Sequence, residues 1–367
     1  MRLVVDSQIP FMRGYAERMG EVEYIPGRDI CAADVRNADA LIVRTRTRCD
    51  RALLENSSVK FVATATIGYD HIDTDYLRER GIVWKNCPGC NAGSVAQYVR
   101  SALLLLAAHG CWEGKGKLSP VTAPAGKLDK GVFSRLTLGI VGVGNVGNKV
   151  LEIARQLGFG RILLCDPPRA AREGEGDFVS LEKVARECDI ITFHTPLTFS
   201  PCEFPTFHLA DRDFFSLVKP SAVVFNTSRG EVVDTAALLS AIKEGRIRAA
   251  VVDTWENEPN IGRELLQNVF LGTPHIAGYS ADGKANGTRM SLTAVAAHFG
   301  MDTTPFTAIV PPALPLSYSY YEDGEGRLLD ESLRLYDPTR DYLALLSTPS
   351  NFETLRANYP LRREFFV

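Results

Sequence analysis

The chain has 367 residues, 45% of them hydrophobic and 23% charged, with a formal net charge of -3, the profile of an ordinary soluble globular protein. This balance gives no footing for a nucleic-acid or anionic-membrane partner, and the longest apolar run, SALLLLAA at 101–108, is far short of the roughly 20 residues a spanning helix needs. The length exceeds what one core usually supports, so two or three domains are expected.

The N-terminus MRLVVDSQIP lacks the long hydrophobic region of a signal peptide, which makes a cytoplasmic location the default expectation. RLVVD, ADALIVR, VKFVATAT and GIVWKN follow as short β-branched runs, each trailed by a polar or turn-rich segment. That alternation predicts a parallel sheet with helices on both faces. CPGC at 87–90 has the spacing of a redox pair or half a zinc site, but no second pair exists, and we read it as a turn leading into a helix. The remaining cysteines are scattered, as suits reduced thiols, and no metal site is predicted.

From Ala92 to Ala108 the apolar periodicity is helical and long enough to connect two domains. Residues 113–131 are rich in Gly, Pro and Lys without a period and read as a linker. A second alternating block then runs through LTLGIVGVG, RILLCD, DIITFHT, SAVVFNTS, AAVVDTW and NVFLGTPHIA, enough strands for a doubly wound dinucleotide fold. After about residue 300 the texture changes to VPPALPLSYSYYEDGEG and two short amphipathic stretches. The expected fold class is α/β, with two doubly wound parallel-sheet domains, one Rossmann and one flavodoxin-like, and a small C-terminal α+β module. The expected boundaries are 1–97 with 277–300 for a substrate domain, 98–276 for a cofactor domain and 301–367 for the module.

The segment LGIVGVGNVGNKVLEIA carries G-x-G-x-x-G at Gly142, Gly144 and Gly147, enclosing Asn145 and Val146. The pattern alone is weak, but here it follows an apolar strand and opens a helix, with Asp166 ending the next strand about 20 residues on. Glycines admit a pyrophosphate close to the backbone, the helix N-terminus offers it N–H groups, and a carboxylate at Asp166 suits ribose hydroxyls and repels a 2'-phosphate. NAD is therefore favoured over NADP, with Arg169 nearby the one residue that would suit the latter.

Further on, NTSRG places Arg229 at a strand's carboxyl end, VVDTWENEP places Asp253 and Glu258 after the next strand, and GTPHIAGYS places His275 after the one beyond. Three residues able to bind an oxyanion, tune a base and move a proton thus leave successive strand ends on one rim. Taken singly, each reads equally as a surface arginine, a helix-capping acid or a core histidine.

With TATIGYDHID and PGCNAGSVAQ in the front half, these motifs resemble the D-2-hydroxyacid dehydrogenase family, over nearly the whole chain. The resemblance implies hydride transfer from C2 of a 2-hydroxy acid to NAD, with His275 as base. Glu258 would stabilise and orient its imidazolium, and Arg229 would grip the substrate carboxylate. It further implies that Thr45, Thr66, Gly68 and Tyr279 contact substrate and that Asp166, Thr195, Asp253 and Gly278 face NAD. The CDPPRA and HIAGYS stretches and the C-terminal module separate the chain from members acting on phosphoglycerate, glycerate or lactate and favour another phosphorylated substrate. Its phosphate would meet Arg44 and Arg46, beside Thr45 and Arg48 in VRTRTR; a solvated charged loop is the alternative. A 2-oxo acid is the expected electron acceptor and a homodimer the expected assembly, although the chain ends at RREFFV, where the family's dimerisation module would continue. The competing readings are another dehydrogenase of the family and an NAD-sensing corepressor of the same fold. A formate dehydrogenase is disfavoured because glutamine would stand at position 258.

Overall fold

The computed structural model describes residues 1–114, 116–121, 128–174, 176–312, 333 and 335–364. The chain divides into two compact units, Met1–Ala92 with Tyr279–Leu314 and Gly93–Gly278 with Pro315–Phe366. The described parts of 301–367 therefore fall on both sides of this division, 301–312 with the first unit and 335–364 with the second.

The first unit is built on β1 (Arg2–Asp6), β2 (Glu21–Ile25), β3 (Ala40–Val43), β4 (Phe61–Thr64) and β5 (Val83–Lys85), all parallel, in the order β2-β1-β3-β4-β5. This is the flavodoxin-like order, whose switch point lies between β1 and β3. Every residue of β3 and β4 is buried, as a sheet covered on both faces requires. One face packs Leu3, Val5, Ile42 and Phe61 against Ala285, Leu292 and Val295 of the helix Ala281–His298. The other packs Val4, Leu41, Val43 and Val62 against Leu54, Tyr76 and Leu77.

The second unit carries β6 (Thr137–Val141), β7 (Arg161–Cys165), β8 (Ile190–Phe193), β9 (Val223–Asn226), β10 (Ala249–Val252) and β11 (Leu271–Gly272), in the order β11-β10-β9-β8-β6-β7 and again parallel. A bridge from Leu164 to Phe178 extends the sheet beyond β7. Chain direction across the sheet reverses between β6 and β8, which opens a crevice at their carboxyl ends. The two doubly wound sheets expected from the strand runs are thus both present.

CPGC forms a turn before the helix Ala92–Ala108. Cys87 is buried, its Sγ 3.3 Å from Ser291 Oγ, and burial pushes its thiol up to about 11, the mark of an inert structural cysteine. Among the described residues no cluster suits a metal ion and no helix is long and apolar enough to cross a membrane. In the predicted linker, Leu118 N donates to Arg248 O and Val121 N to Phe270 O, at 2.9 and 2.8 Å; Lys115 and residues 122–127 lie outside the described residues, as do 313–332 of the C-terminal region.

The helix Thr339–Ser347 lies on the second sheet's β11 end through Tyr342, which is fully buried and whose hydroxyl donates to Leu266 O (3.0 Å) and Val269 O (3.3 Å). Tyr342→Phe leaves both carbonyls without this donor and is expected to lower stability by about 1–2 kcal/mol, read as a shift of the denaturation midpoint with the same cooperativity.

Candidate active site

Two glycines of the G-x-G-x-x-G triplet are required by close contacts within the chain. Gly142 sits at φ +86, and a Cβ there would lie 2.7 Å from the His194 carbonyl and 2.9 Å from Thr195 N; at Gly147 it would lie 2.1 Å from Gly142 O. A Cβ at Gly144 would meet nothing within 4 Å, so the backbone there fronts open space. The helix Asn145–Leu157 begins at Gly144 with no side-chain cap, leaving its first N–H groups for an anion. The Thr195 hydroxyl, at the end of β8, is buried and makes no hydrogen bond among the described residues. Open backbone, uncapped helix and orphan hydroxyl together fit a dinucleotide in the crevice.

Asp166 closes the loop from the far side: Oδ2 accepts from Val143 N at 2.7 Å and Oδ1 from Arg169 N at 3.0 Å. Arg169 donates to Val143 O and, through Nε and Nη2, to Glu173. Arg169, the cation expected to suit a 2'-phosphate, is thereby drawn into an ion pair beside a carboxylate, as suits NAD.

The three remaining strand ends converge. Arg229 follows β9, its loop closed by Asn226 Nδ2 donating to Arg229 O at 2.9 Å. Gly230 packs so tightly on the next loop that a Cβ would fall 2.0 Å from the Trp255 carbonyl. After β10, Asp253 is 1% exposed and Glu258 follows; after β11 comes His275. His275 Nδ1 lies 2.8 Å from Glu258 Oε2 and 3.1 Å from Oε1, so among the described residues the ring's hydrogen bonds run through one nitrogen, and the side chain is 26% exposed. Burial alone would raise the Glu258 carboxyl, but the His275 charge and hydrogen bond, the Trp255 N–H at 2.9 Å and Arg356 together outweigh it and hold the group below its ordinary value. A carboxylate fixed to Nδ1 with the other imidazole nitrogen turned elsewhere is the arrangement of a general base.

In the first unit, Thr45 and Arg46 are exposed after β3, and Thr66 and Gly68 follow the adjacent β4. Thr66 Oγ1 donates to Gly68 O at 2.8 Å and pairs with Thr64 Oγ1 at 2.7 Å, which in turn lies 3.0 Å from His71 Nε2. Burial, opposed by Asp70, lowers His71 to about 4. Arg44 Nε lies 3.0 Å from Asp6 Oδ2, a fully buried carboxylate that also accepts from Gln8 N and Gly27 N. Arg48 pairs with Asp50, and Lys284 Nζ stands 3.9 Å over the Tyr279 ring.

Within the second unit the structure thus brings together Gly142–Gly147 with Asp166, and Glu258 with His275. Asp253 also holds the His275 loop: Oδ1 accepts from Thr273 Oγ1 and Ile276 N, and Oδ2 from Ala277 N. Sequence reasoning missed His194, whose half-buried ring bonds Thr192 and Thr227 and is lowered to about 3 by desolvation, and also Arg356 and Arg362. His194 lies in DIITFHT, which reads only as a strand; no pattern distinguished the two arginines from surface ones.

Comparison with known proteins agrees with this geometry. Residues 122–277 match the family model described as D-isomer specific 2-hydroxyacid dehydrogenase, NAD binding domain. Erythronate-4-phosphate dehydrogenase of Bacteroides fragilis is 50% identical over 99% of this chain and 97% of its own, and that of Cronobacter sakazakii 42% identical over 100% and 92%. The solved D-lactate dehydrogenase of Aquifex aeolicus, complexed with NAD and lactic acid, shares the fold at a TM-score of 0.65 and 24% identity, covering 85% of this chain and 100% of its own. The chain belongs to the D-isomer-specific 2-hydroxyacid dehydrogenase family and is an NAD-dependent dehydrogenase.

Proposed function

We propose that the chain oxidises 4-phospho-D-erythronate to (R)-3-hydroxy-2-oxo-4-phosphooxybutanoate, as a step of pyridoxal 5'-phosphate (vitamin B6) synthesis. The observation that carries the chemistry is the His275–Glu258 pair, at 2.8 Å, on the carboxyl rim of a dinucleotide-binding sheet. The substrate assignment is supported by the names of relatives matching almost the full chain.

In this reading His275 Nε2 takes the proton of the C2 hydroxyl. Glu258 holds the ring through Nδ1 and stabilises the cation that forms, and Arg229 binds the substrate carboxylate and polarises the C2 oxygen. NAD, when bound, supplies the acceptor for the hydride leaving C2. Backbone groups of Gly142, Gly144, Asn145, Val146 and Gly147 would hold its pyrophosphate and Asp166 its ribose, with Thr195, Asp253 and Gly278 toward the remainder. Thr45, Thr66, Gly68 and Tyr279 are the proposed substrate contacts, and Arg44 and Arg46 the proposed phosphate ligands, Arg44 keeping its Nε on Asp6. A 2-oxo acid as oxidant of the reduced cofactor, a homodimer and a cytoplasmic location complete the proposal.

Purified protein is expected to turn over 4-phospho-D-erythronate with NAD and 2-oxoglutarate in preference to 3-phosphoglycerate, and His275→Ala to lower kcat by about 10²–10⁴; turnover of 3-phosphoglycerate alone would keep the chemistry and discard the substrate. Gly144→Val, filling open space, is expected to leave the melting temperature unchanged and weaken NAD binding roughly tenfold or more, a cost of about 1.4 kcal/mol, measured by titration calorimetry.

A further inference from the structure

The C-terminal segment sends an arginine to the His275–Glu258 pair. Arg356, on the helix Phe352–Ala357, has Nη1 3.7 Å from Glu258 Oε2, the same oxygen that holds His275 Nδ1 at 2.8 Å. Its side chain is 20% exposed, and its Nε is buried and donates to nothing among the described residues. Its other acidic neighbour, Glu353, stands at 3.9 Å. A largely buried guanidinium held this loosely gains little for stability, so its placement against Glu258 asks for another cause.

The segment is fixed by a second arginine. Arg362, 2% exposed, donates from Nη1 to Ile276 O (3.1 Å), from Nη2 to Ala277 O (2.7 Å) and Ser94 Oγ (3.1 Å), and from Nε to Gln97 Oε1 (2.8 Å), with its guanidinium 3.8 Å over the Tyr336 ring. Ile276 and Ala277 are the two residues directly after His275. One segment therefore clamps the backbone beyond the imidazole and places a cation against its carboxylate.

We propose that Arg356 is a positioning residue that sets the proton affinity of the His275–Glu258 pair, making the C-terminal segment part of the proton-transfer apparatus. This rests on the reading of His275 as base. Among the described residues the charged groups facing the pair are Arg356, with Glu353 behind it, and the buried Asp253 under the His275 loop, whose partner Thr273 also bonds Tyr98 Oη at 2.8 Å. A cation beside Glu258 takes up part of the carboxylate's field, leaving the imidazolium less stabilised and the neutral, proton-accepting ring favoured to lower pH. Without that charge the imidazolium gains stability. The acidic limb of oxidation, which needs neutral histidine, and the alkaline limb of reduction, which needs protonated histidine, then both move to higher pH.

The test is the pH profile of kcat/KM in both directions for Arg356→Gln and Arg356→Lys, with melting temperatures to confirm folding and His275→Asn as reference. Arg356→Gln is expected to move both limbs up by about half a pH unit or more, Arg356→Lys to restore them, and KM for NAD to stay as in the unaltered protein. Unmoved limbs in Arg356→Gln would overturn the proposal, whether kcat falls alike in both variants, as for a packing role, or KM for the hydroxy acid rises, as for a substrate ligand. If His275→Asn abolishes turnover while the limbs stay fixed, the base survives and only Arg356's role falls; full turnover in His275→Asn would remove both.

Discussion

The placement of His275 hangs on one buried carboxylate. Asp253 lies at the end of β10 with 1% exposure, and its two oxygens collect the Thr273 hydroxyl and the N–H groups of Ile276 and Ala277, while its own carbonyl accepts the His275 N–H at 2.8 Å. Burial raises the carboxyl group, and the His275 charge and these bonds work against that rise without cancelling it. The loop is wound round the acid so closely that His275 is held at φ +55, a conformation few non-glycine residues keep unless their surroundings over-determine it. From that fixed backbone the ring reaches Glu258, and Glu258 is steadied by Trp255 N–H. The loops after β10 and β11 thus behave as one rigid piece.

Much of this was legible in the residues themselves. β-branched runs broken by turn residues marked the strands, because a strand buried on both faces can hold little else, and the glycine triplet was legible because Gly142 and Gly147 answer contacts no side chain could make and Gly144 opens the helix that follows. Arg229, Glu258 and His275 could be placed on one rim because parallel strands deliver all their carboxyl ends to the same edge. What was hidden depends on contacts between residues far apart in sequence. Arg356 and Arg362 sit in LRANYPLRRE, where nothing separates a guanidinium buried on backbone carbonyls from one in solvent. The resemblance placed Asp253 toward the cofactor; that its oxygens also hold Ile276, Ala277 and Thr273 is a matter of how the following loop folds back. Nor could the linker's composition reveal that Leu118 and Val121 hydrogen-bond to Arg248 and Phe270 of the second sheet.

The glycine loop shows the same economy on the cofactor side. Val143, at its centre, is gripped at both backbone atoms, its N–H by Asp166 and its carbonyl by Arg169, and Glu173 completes the chain of charges. The loop is therefore shaped by the protein's own groups, and its geometry need not be assembled at the expense of binding energy.

The hydrogen bonds behind Gly68 run one way only. A carbonyl can only accept, so the Thr66 hydroxyl must point its proton at Gly68 O; its oxygen is then free to receive the proton of Thr64, and Thr64 in turn must receive one from His71 Nε2. The imidazole is thereby committed to the tautomer protonated at Nε2, and with burial holding it near 4 it stays neutral throughout the physiological range. The hydroxyls of the Thr66–Gly68 loop therefore keep a single polarity across that range. The protein thus keeps this histidine for orientation, and a change of pH within that range leaves the imidazole, and the loop it aligns, as they were.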